Sequence, residues 1–155
     1  MNVKRREVLK LSSVVALALS AGALAPRQVF AAPSAWNESA FDASTLDEAI
    51  KALGGNGIEE SDKIILQAPD IAENGAVVPI AVSSEIEGTT EVAILVPDNP
   101  SALTAYFDIP EGTLADVATR IKMGETSDVY GVVKAGDKFY MTHKEVKVTL
   151  GGCGG

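Results

Sequence analysis

The single cysteine of the chain, Cys153, is the residue whose type and surroundings most directly indicate chemistry, because a thiol can form a covalent bond to a substrate. Two glycines precede it, Gly151 and Gly152, and two follow it, Gly154 and Gly155. Glycine has no Cβ and adopts both signs of φ, so this stretch predicts a flexible arm thin enough to enter a narrow channel. We interpret Cys153 as a covalent attachment point on a flexible tether.

Other residue types that could do chemistry are sparse or uninformative. His143, the only histidine, falls in a predicted strand, and no Ser or Cys is placed by the sequence as its nucleophile. Asp70, Glu73, Asp108 and Asp116 are interpreted as solvated surface carboxylates of an acidic protein. Zinc and iron–sulfur sites need several Cys or His ligands together. We therefore expect no catalytic residues, no metal site and no resident cofactor.

Two readings from other functional classes remain open for Cys153. In the first, the protein is an exported β-sandwich binding module, and Cys153 forms a structural intermolecular disulfide. In the second, Cys153 is the nucleophile of a thiol oxidoreductase. The sequence argues against the second reading, because it has no resolving cysteine, no C-x-x-C motif and no activating base near Cys153.

Residues 1–31 have the pattern of a cleaved export signal. A charged segment, KRREVLK, precedes an apolar run over residues 11–25, and small residues around Ala31 mark the expected cut. Arg5 and Arg6 are adjacent and Lys10 follows the apolar pair Val8–Leu9, which is typical of a twin-arginine signal. An ordinary secretory signal is the alternative. The twin-arginine reading predicts a periplasmic protein that is exported in the folded state.

The charge balance narrows the range of partners. The chain has a net charge of −8, and the signal contains five basic residues and one acidic residue, so the mature chain has a net charge of −12. Such a surface repels phosphate backbones, so we expect no nucleic-acid partner. No basic amphipathic stretch remains after cleavage, so we expect no membrane anchoring of the processed protein.

The mature chain of about 124 residues is long enough for one domain with its own core. Residues 32–55 predict a short N-terminal helical segment, in which Ser44 or Thr45 can cap the second helix, Glu48 lies three residues after Thr45, and Gly54 and Gly55 end the helix. Residues 56–150 predict a mainly β domain, an antiparallel β-sandwich of about seven strands. The expected strands lie within residues 63–69, 76–84, 91–98, 103–109, 114–123, 127–136 and 138–150. Residues 151–155 form the arm.

The whole chain resembles the SoxY family, the sulfur-carrier subunits of the bacterial Sox system for thiosulfate oxidation. The resemblance lies in the signal KRREVLK, the helical TLDEAIKALGG, the segment APDIAENGAVVPI and the closing strands that lead to GGCGG. All five residues of the terminal motif are present. A GGCGG motif alone would be weak evidence, whereas its combination with this position and an export signal is specific.

The resemblance implies a substrate carrier rather than an enzyme. Cys153 would carry the sulfur substrate as a cysteine S-thiosulfonate or a persulfide, on a swinging arm formed by the flanking glycines. The implied partners are a SoxZ-like β-sandwich subunit in a heterodimer, a c-type haem sulfur-transfer enzyme, a manganese thiosulfohydrolase and, where it is present, a sulfane dehydrogenase. The implied fold is an immunoglobulin-like sandwich, which agrees with the strand pattern.

Overall fold

Two short helices open the part of the chain that the structure, a computed structural model, describes, namely residues 37–149. Helix α1 covers Glu38–Phe41 and helix α2 covers Leu46–Ala52. At the start of α2 the Thr45 Oγ1 accepts a hydrogen bond from the Glu48 N–H over 3.2 Å, and the Glu48 carboxylate accepts one from the Ser44 N–H over 3.1 Å. Thr45 is thus the N-cap, and the Glu48 carboxylate reaches back one residue further than in a standard capping box, to the N–H of Ser44. The helix ends before Gly54, whose φ of 88° lies in the left-handed region that favours glycine.

Nine strands follow the helices. They are β1 (Ile58–Glu60), β2 (Ile64–Gln67), β3 (Ile71–Ala72), β4 (Val78–Ser84), β5 (Thr89–Leu95), β6 (Leu103–Asp108), β7 (Asp116–Ile121), β8 (Ser127–Ala135) and β9 (Lys138–Val148).

The strands form two sheets. The smaller sheet has the order β2-β4-β7 and is antiparallel throughout. The larger sheet has the order β1-β9-β8-β5-β6, and β3 also pairs with β9. The short strands β1 and β3 both run parallel to β9, whereas the other pairs of this sheet are antiparallel. β9 is therefore hydrogen-bonded on both sides.

The main core lies between the inner faces of the two sheets. In β4, Val78, Ile80 and Val82 are buried whereas the intervening Pro79 is exposed, as the period of two in a strand requires. From the larger sheet, Val129 and Val133 of β8 belong to the same cluster. Full burial of each such side chain contributes about 1.5–3 kcal/mol. The alternation of buried and more exposed residues along the strands thus places one face of each sheet in a shared core.

The helices cover the outer face of the larger sheet. Ala49 and Ile50 of α2 belong to one buried cluster with Ala93 and Leu95 of β5. A hydrogen bond from the Ala102 N–H to the Ala43 carbonyl, 2.9 Å long, fastens the helical segment to the β5–β6 connection. Because the second half of β5 is covered on both faces, its sequence from Val92 to Leu95 is a continuous apolar run rather than an alternating one.

The expected mainly β sandwich is confirmed. All seven expected strands are present as β2 and β4–β9, and the structure adds β1 and β3. These two strands contain three and two residues, which is too short for a period of two to be read from the sequence. Within residues 37–149, neither helix is long and apolar enough to span a membrane.

Candidate functional site

The site predicted from the sequence is Cys153 with Gly151, Gly152, Gly154 and Gly155, and all five lie outside the described residues. The signal residues Arg5 and Arg6 also lie outside them. The structure does describe strand β9, which leads toward Cys153, as far as Thr149. The geometry around this end of β9 is therefore the observable part of the site.

The end of β9 is held from both sides. On one side, the Lys147 N–H donates to the Asp70 carbonyl over 3.0 Å and the Thr149 N–H donates to the Ala72 carbonyl over 3.1 Å. On the other side, the Val148 N–H donates to the Thr126 Oγ1 over 3.0 Å. We call residues 70–75, 123–126 and 147–149 the arm root. The backbone is thus fixed to a point four residues before Cys153.

Close packing reinforces the arm root. Val148 is partly buried against the main core. Gly75 lies beside it, and a Cβ at position 75 would come within 2.9 Å of Val148 Cγ1 and would also clash with the backbone of Met123. The Met123 N–H donates to the Gly75 carbonyl over 2.7 Å. Only glycine allows the two backbones to approach this closely.

An ion pair connects the arm root to the middle of β9. Lys144 Nζ lies 2.9 Å from Asp70 Oδ1 and also donates to the Ala68 carbonyl over 2.7 Å. The hydrogen bond from Lys144, together with its charge, lowers the pKa of Asp70 below the usual 3.8. The segment that enters β3 is therefore tied to β9 by a side chain as well as by the backbone.

His143 occupies a structural position. Its ring stacks on Tyr130 at a centroid separation of 5.3 Å, and its Nδ1 lies 3.7 Å from Glu60 Oε1. Tyr130 and His143 are register partners on β8 and β9, so the stack is a cross-strand pair. This agrees with the interpretation of His143 as a strand histidine.

The four carboxylates singled out in the sequence are all exposed and lie on several elements. Asp70 precedes β3 and pairs with Lys144, whereas Asp108 ends β6 and accepts a hydrogen bond from the Tyr106 hydroxyl over 3.0 Å. Asp116 begins β7 in the other sheet. Among residues 37–149, no group of three or more His, Asp or Glu side chains is arranged to hold a metal ion.

The fold and the site define a class of protein: a two-sheet β-sandwich whose last strand is fixed shortly before a lone, glycine-flanked cysteine. The family model described as "Sulfur oxidation protein SoxY" matches residues 50–153, from α2 through Cys153. The chain belongs to the SoxY family.

A solved structure supports this assignment. The chain resembles the sulfur carrier protein SoxY from Chlorobium limicola f thiosulfatophilum, with 44% sequence identity and a TM-score of 0.63. The similarity covers 69% of this chain and 98% of that one. The comparison with curated proteins gave no significant match.

Sequence reasoning missed the residues that form the arm root. In the sequence, Glu73-Asn74-Gly75 indicates only a turn between two predicted strands, and nothing there predicts the close approach of Gly75 to Met123 and Val148. The family resemblance did include this region, in the segment APDIAENGAVVPI, and that was the one available signal.

Proposed function

We propose that the protein carries sulfur intermediates covalently on Cys153 and presents them to partner enzymes during the periplasmic oxidation of thiosulfate to sulfate. The observation that carries this proposal is the SoxY family match, which extends through Cys153. The similarity at 44% identity to a protein described as a sulfur carrier supports it. The carrier supplies the thiol and the tether, and the partners supply the catalysts.

The proposed chemistry begins with oxidative conjugation. The Cys153 thiolate and the outer sulfur of thiosulfate form a sulfur–sulfur bond, and two electrons pass to a c-type haem enzyme. The product is the cysteine S-thiosulfonate. A manganese thiosulfohydrolase then uses water to cleave the bond to the terminal sulfone group, which releases sulfate and two protons and leaves a persulfide on Cys153. Where a sulfane dehydrogenase is present, it oxidises the persulfide sulfur for a second hydrolysis.

The arm root supports this role mechanically. A carrier must offer its substrate to several active sites while its own domain stays folded. Hydrogen bonds and packing fix the chain as far as Thr149. Beyond that residue, four more bring the chain to Cys153, a reach of at most about 14 Å. We propose that residues 151–155 act as a swinging arm that threads narrow channels.

The proposed partner in the carrier complex is a SoxZ-like β-sandwich subunit. Within residues 37–149, β7 and β2 are the edges of the smaller sheet and β6 is an edge of the larger one. Such edges present unpaired backbone groups that a second β subunit can cover. The twin-arginine signal, with Arg5 and Arg6, supports export of a folded complex to the periplasm.

Replacement of Cys153 by serine tests the carrier role. Cys153→Ser is expected to keep the fold and to abolish sulfate formation from thiosulfate in the reconstituted system. Intact-mass analysis of wild-type protein from cells grown on thiosulfate is expected to show sulfur adducts on Cys153. A Cys153→Ser protein with full turnover contradicts the proposal. A chain isolated mainly as a disulfide-linked species without adducts favours the structural disulfide instead.

A further inference from the structure

Exposed apolar side chains lie beside the arm root. Among residues 37–149, the large hydrophobic residues that are exposed are Ile65, Ile71, Val77 and Leu114. Ile71 belongs to β3, pairs in register with Lys147 of β9, and is 57% exposed. Val77 is 51% exposed and lies two residues after Gly75, which touches Val148. Two of the four therefore flank the point where the fixed chain ends.

The other two lie at the opposite end of the smaller sheet. Ile65 pairs in register with Ser83, which pairs with Asp116, and Leu114 lies two residues before Asp116. The arm-root end of the same sheet is marked by the pair Val78 and Ile121. The strand β4 has seven residues, so the two ends are about 20 Å apart. Ile65 and Leu114 are thus natural controls for Ile71 and Val77.

The short reach of the arm limits how far away an enzyme can be. From Thr149 to Cys153 the extended chain spans at most about 14 Å. Much of this length is needed for Cys153 to reach an active site that lies below the surface of an enzyme. The rim of its channel must then touch the carrier around Thr149. Ile71 and Val77 are the apolar side chains available there, and burying them in the contact removes apolar surface from water.

Charge adds a second requirement on the partner. Residues 37–149 contain eight Lys and Arg and 20 Asp and Glu, a net charge of −12. At the arm root, the acidic residues Asp70, Glu73 and Glu125 are exposed and outnumber the one basic residue, Lys147, although Asp70 also pairs with Lys144. Opposite charges across an interface speed association and fix its register. A channel rim of an enzyme that is complementary to this surface therefore has apolar side chains beside lysine or arginine.

We infer that Ile71 and Val77, bordered by Asp70 and Glu73, form a docking surface for the basic, apolar channel rims of the enzymes that act on Cys153. This inference rests on the proposed function and adds the place where partner enzymes bind. It gives the carrier two separate means of recognition, the thiol on the arm and the surface around the arm root.

The experiment compares two isoleucines at opposite ends of the protein. Wild-type protein is loaded on Cys153 by exchange with tetrathionate, which leaves the S-thiosulfonate on the cysteine and releases thiosulfate. Sulfate release by the purified manganese thiosulfohydrolase is then measured against carrier concentration. Ile71→Ser is expected to raise KM on the order of tenfold with kcat unchanged, because an apolar contact of the bound complex is lost. Ile65→Ser is expected to keep the wild-type KM.

Val77 lies outside the strands, so Val77→Ser is a second variant, and its folding does not depend on β3. It is expected to raise KM as Ile71→Ser does, and Leu114→Ser is its control. Alkylation of Cys153 by a small reagent is expected to proceed at the wild-type rate in all four variants. If the variants at the two ends have equal KM values, the proposal of a docking surface is wrong, whereas the carrier role is unaffected. A loaded wild-type chain that the hydrolase does not process overturns the carrier role itself.

Discussion

Gly75 and Val148 are in direct contact where the last strand ends, and a Cβ on residue 75 would lie 2.9 Å from Val148 Cγ1. Gly75→Ala is therefore expected to destabilise the protein by about 1–3 kcal/mol, because overpacking forces neighbouring backbone to shift. Urea unfolding measures the effect. Gly57→Ala is the control, since a Cβ there meets nothing within 4 Å and Gly57 is not in the left-handed region. Equal stabilities of the two variants would contradict the packing at the arm root.

The ion pair between Asp70 and Lys144 predicts that backbone N–H groups of the arm root lose protection from hydrogen exchange at acid pH. The pKa of Asp70 is lowered by Lys144, so the pair stabilises the folded protein above the ordinary value of 3.8. This contribution is lost as the pH falls through the lower, folded-state pKa. Asp70→Asn is expected to reduce hydrogen-exchange protection of the Lys147 N–H at neutral pH, whereas Asp116→Asn at the far end of the smaller sheet leaves it unchanged. Unchanged protection in Asp70→Asn would rule out this role of the pair.

Tyr106 predicts a loss of stability in alkali. Its pKa is raised by burial and by its hydrogen bond to Asp108, with a smaller contribution from Glu91. Over a range of alkaline pH, Tyr106 therefore stays protonated in the folded state but is ionised in the unfolded chain. Stability from this residue is complete below about pH 10 and declines as the pH rises further. Tyr106→Phe is expected to show a shallower alkaline decline in chemical unfolding. In Asp108→Asn, tyrosinate absorbance is expected to appear at lower pH than in the wild type. An unchanged titration would show that Asp108 does not help to raise the pKa of Tyr106.

The glycines around Cys153 predict a separation of thiol reactivity from enzymatic turnover. Replacing Gly152 and Gly154 together by valine stiffens and thickens the arm. A small alkylating reagent is expected to label Cys153 at nearly the wild-type rate, whereas turnover through the partner enzymes falls sharply because the arm no longer threads their channels. Native turnover in the double variant would show that the glycines have no mechanical role. Loss of both readouts would point to an effect on the sulfur itself.

The proposed twin-arginine signal predicts that export strictly requires its arginine pair. Replacing Arg5 and Arg6 together by lysine keeps the positive charge that an ordinary secretory signal needs. The receptor-read twin-arginine route is expected to reject this variant, so that unprocessed precursor accumulates inside the cell. Lys4→Arg serves as a control that is exported normally. Normal processing of the double lysine variant would indicate the ordinary secretory route.

The sequence was most informative where apolar residues repeat with a clear period. Alternation was clear in residues 127–136, which contain β8 with Val129 and Val133 inward, and the capping residues Ser44 and Thr45 marked the start of α2. β3 was invisible because two residues show no period and because its pairing with β9 joins positions 71 and 147. Such long-range pairing depends on where the rest of the sheet places β9.

The candidate site, like the fold, could be predicted from the sequence only in part. Cys153 could be singled out from composition alone, because one thiol between four glycines is a local pattern. The arm root could not be, since it brings together three distant segments around residues 72, 126 and 148. Nothing local in the turn at Gly75 shows which backbone it will approach.

The double-sided pairing of β9 gives the protein resistance to pulling. If a partner enzyme pulls on the proposed arm, the force acts along β9, and the hydrogen bonds to β8 on one side and to β1 and β3 on the other lie across that direction. Nine registered pairs with β8 alone would have to slide at once, rather than open one after another from the end. The last strand is thus placed to act as a shear-loaded anchor for the proposed arm.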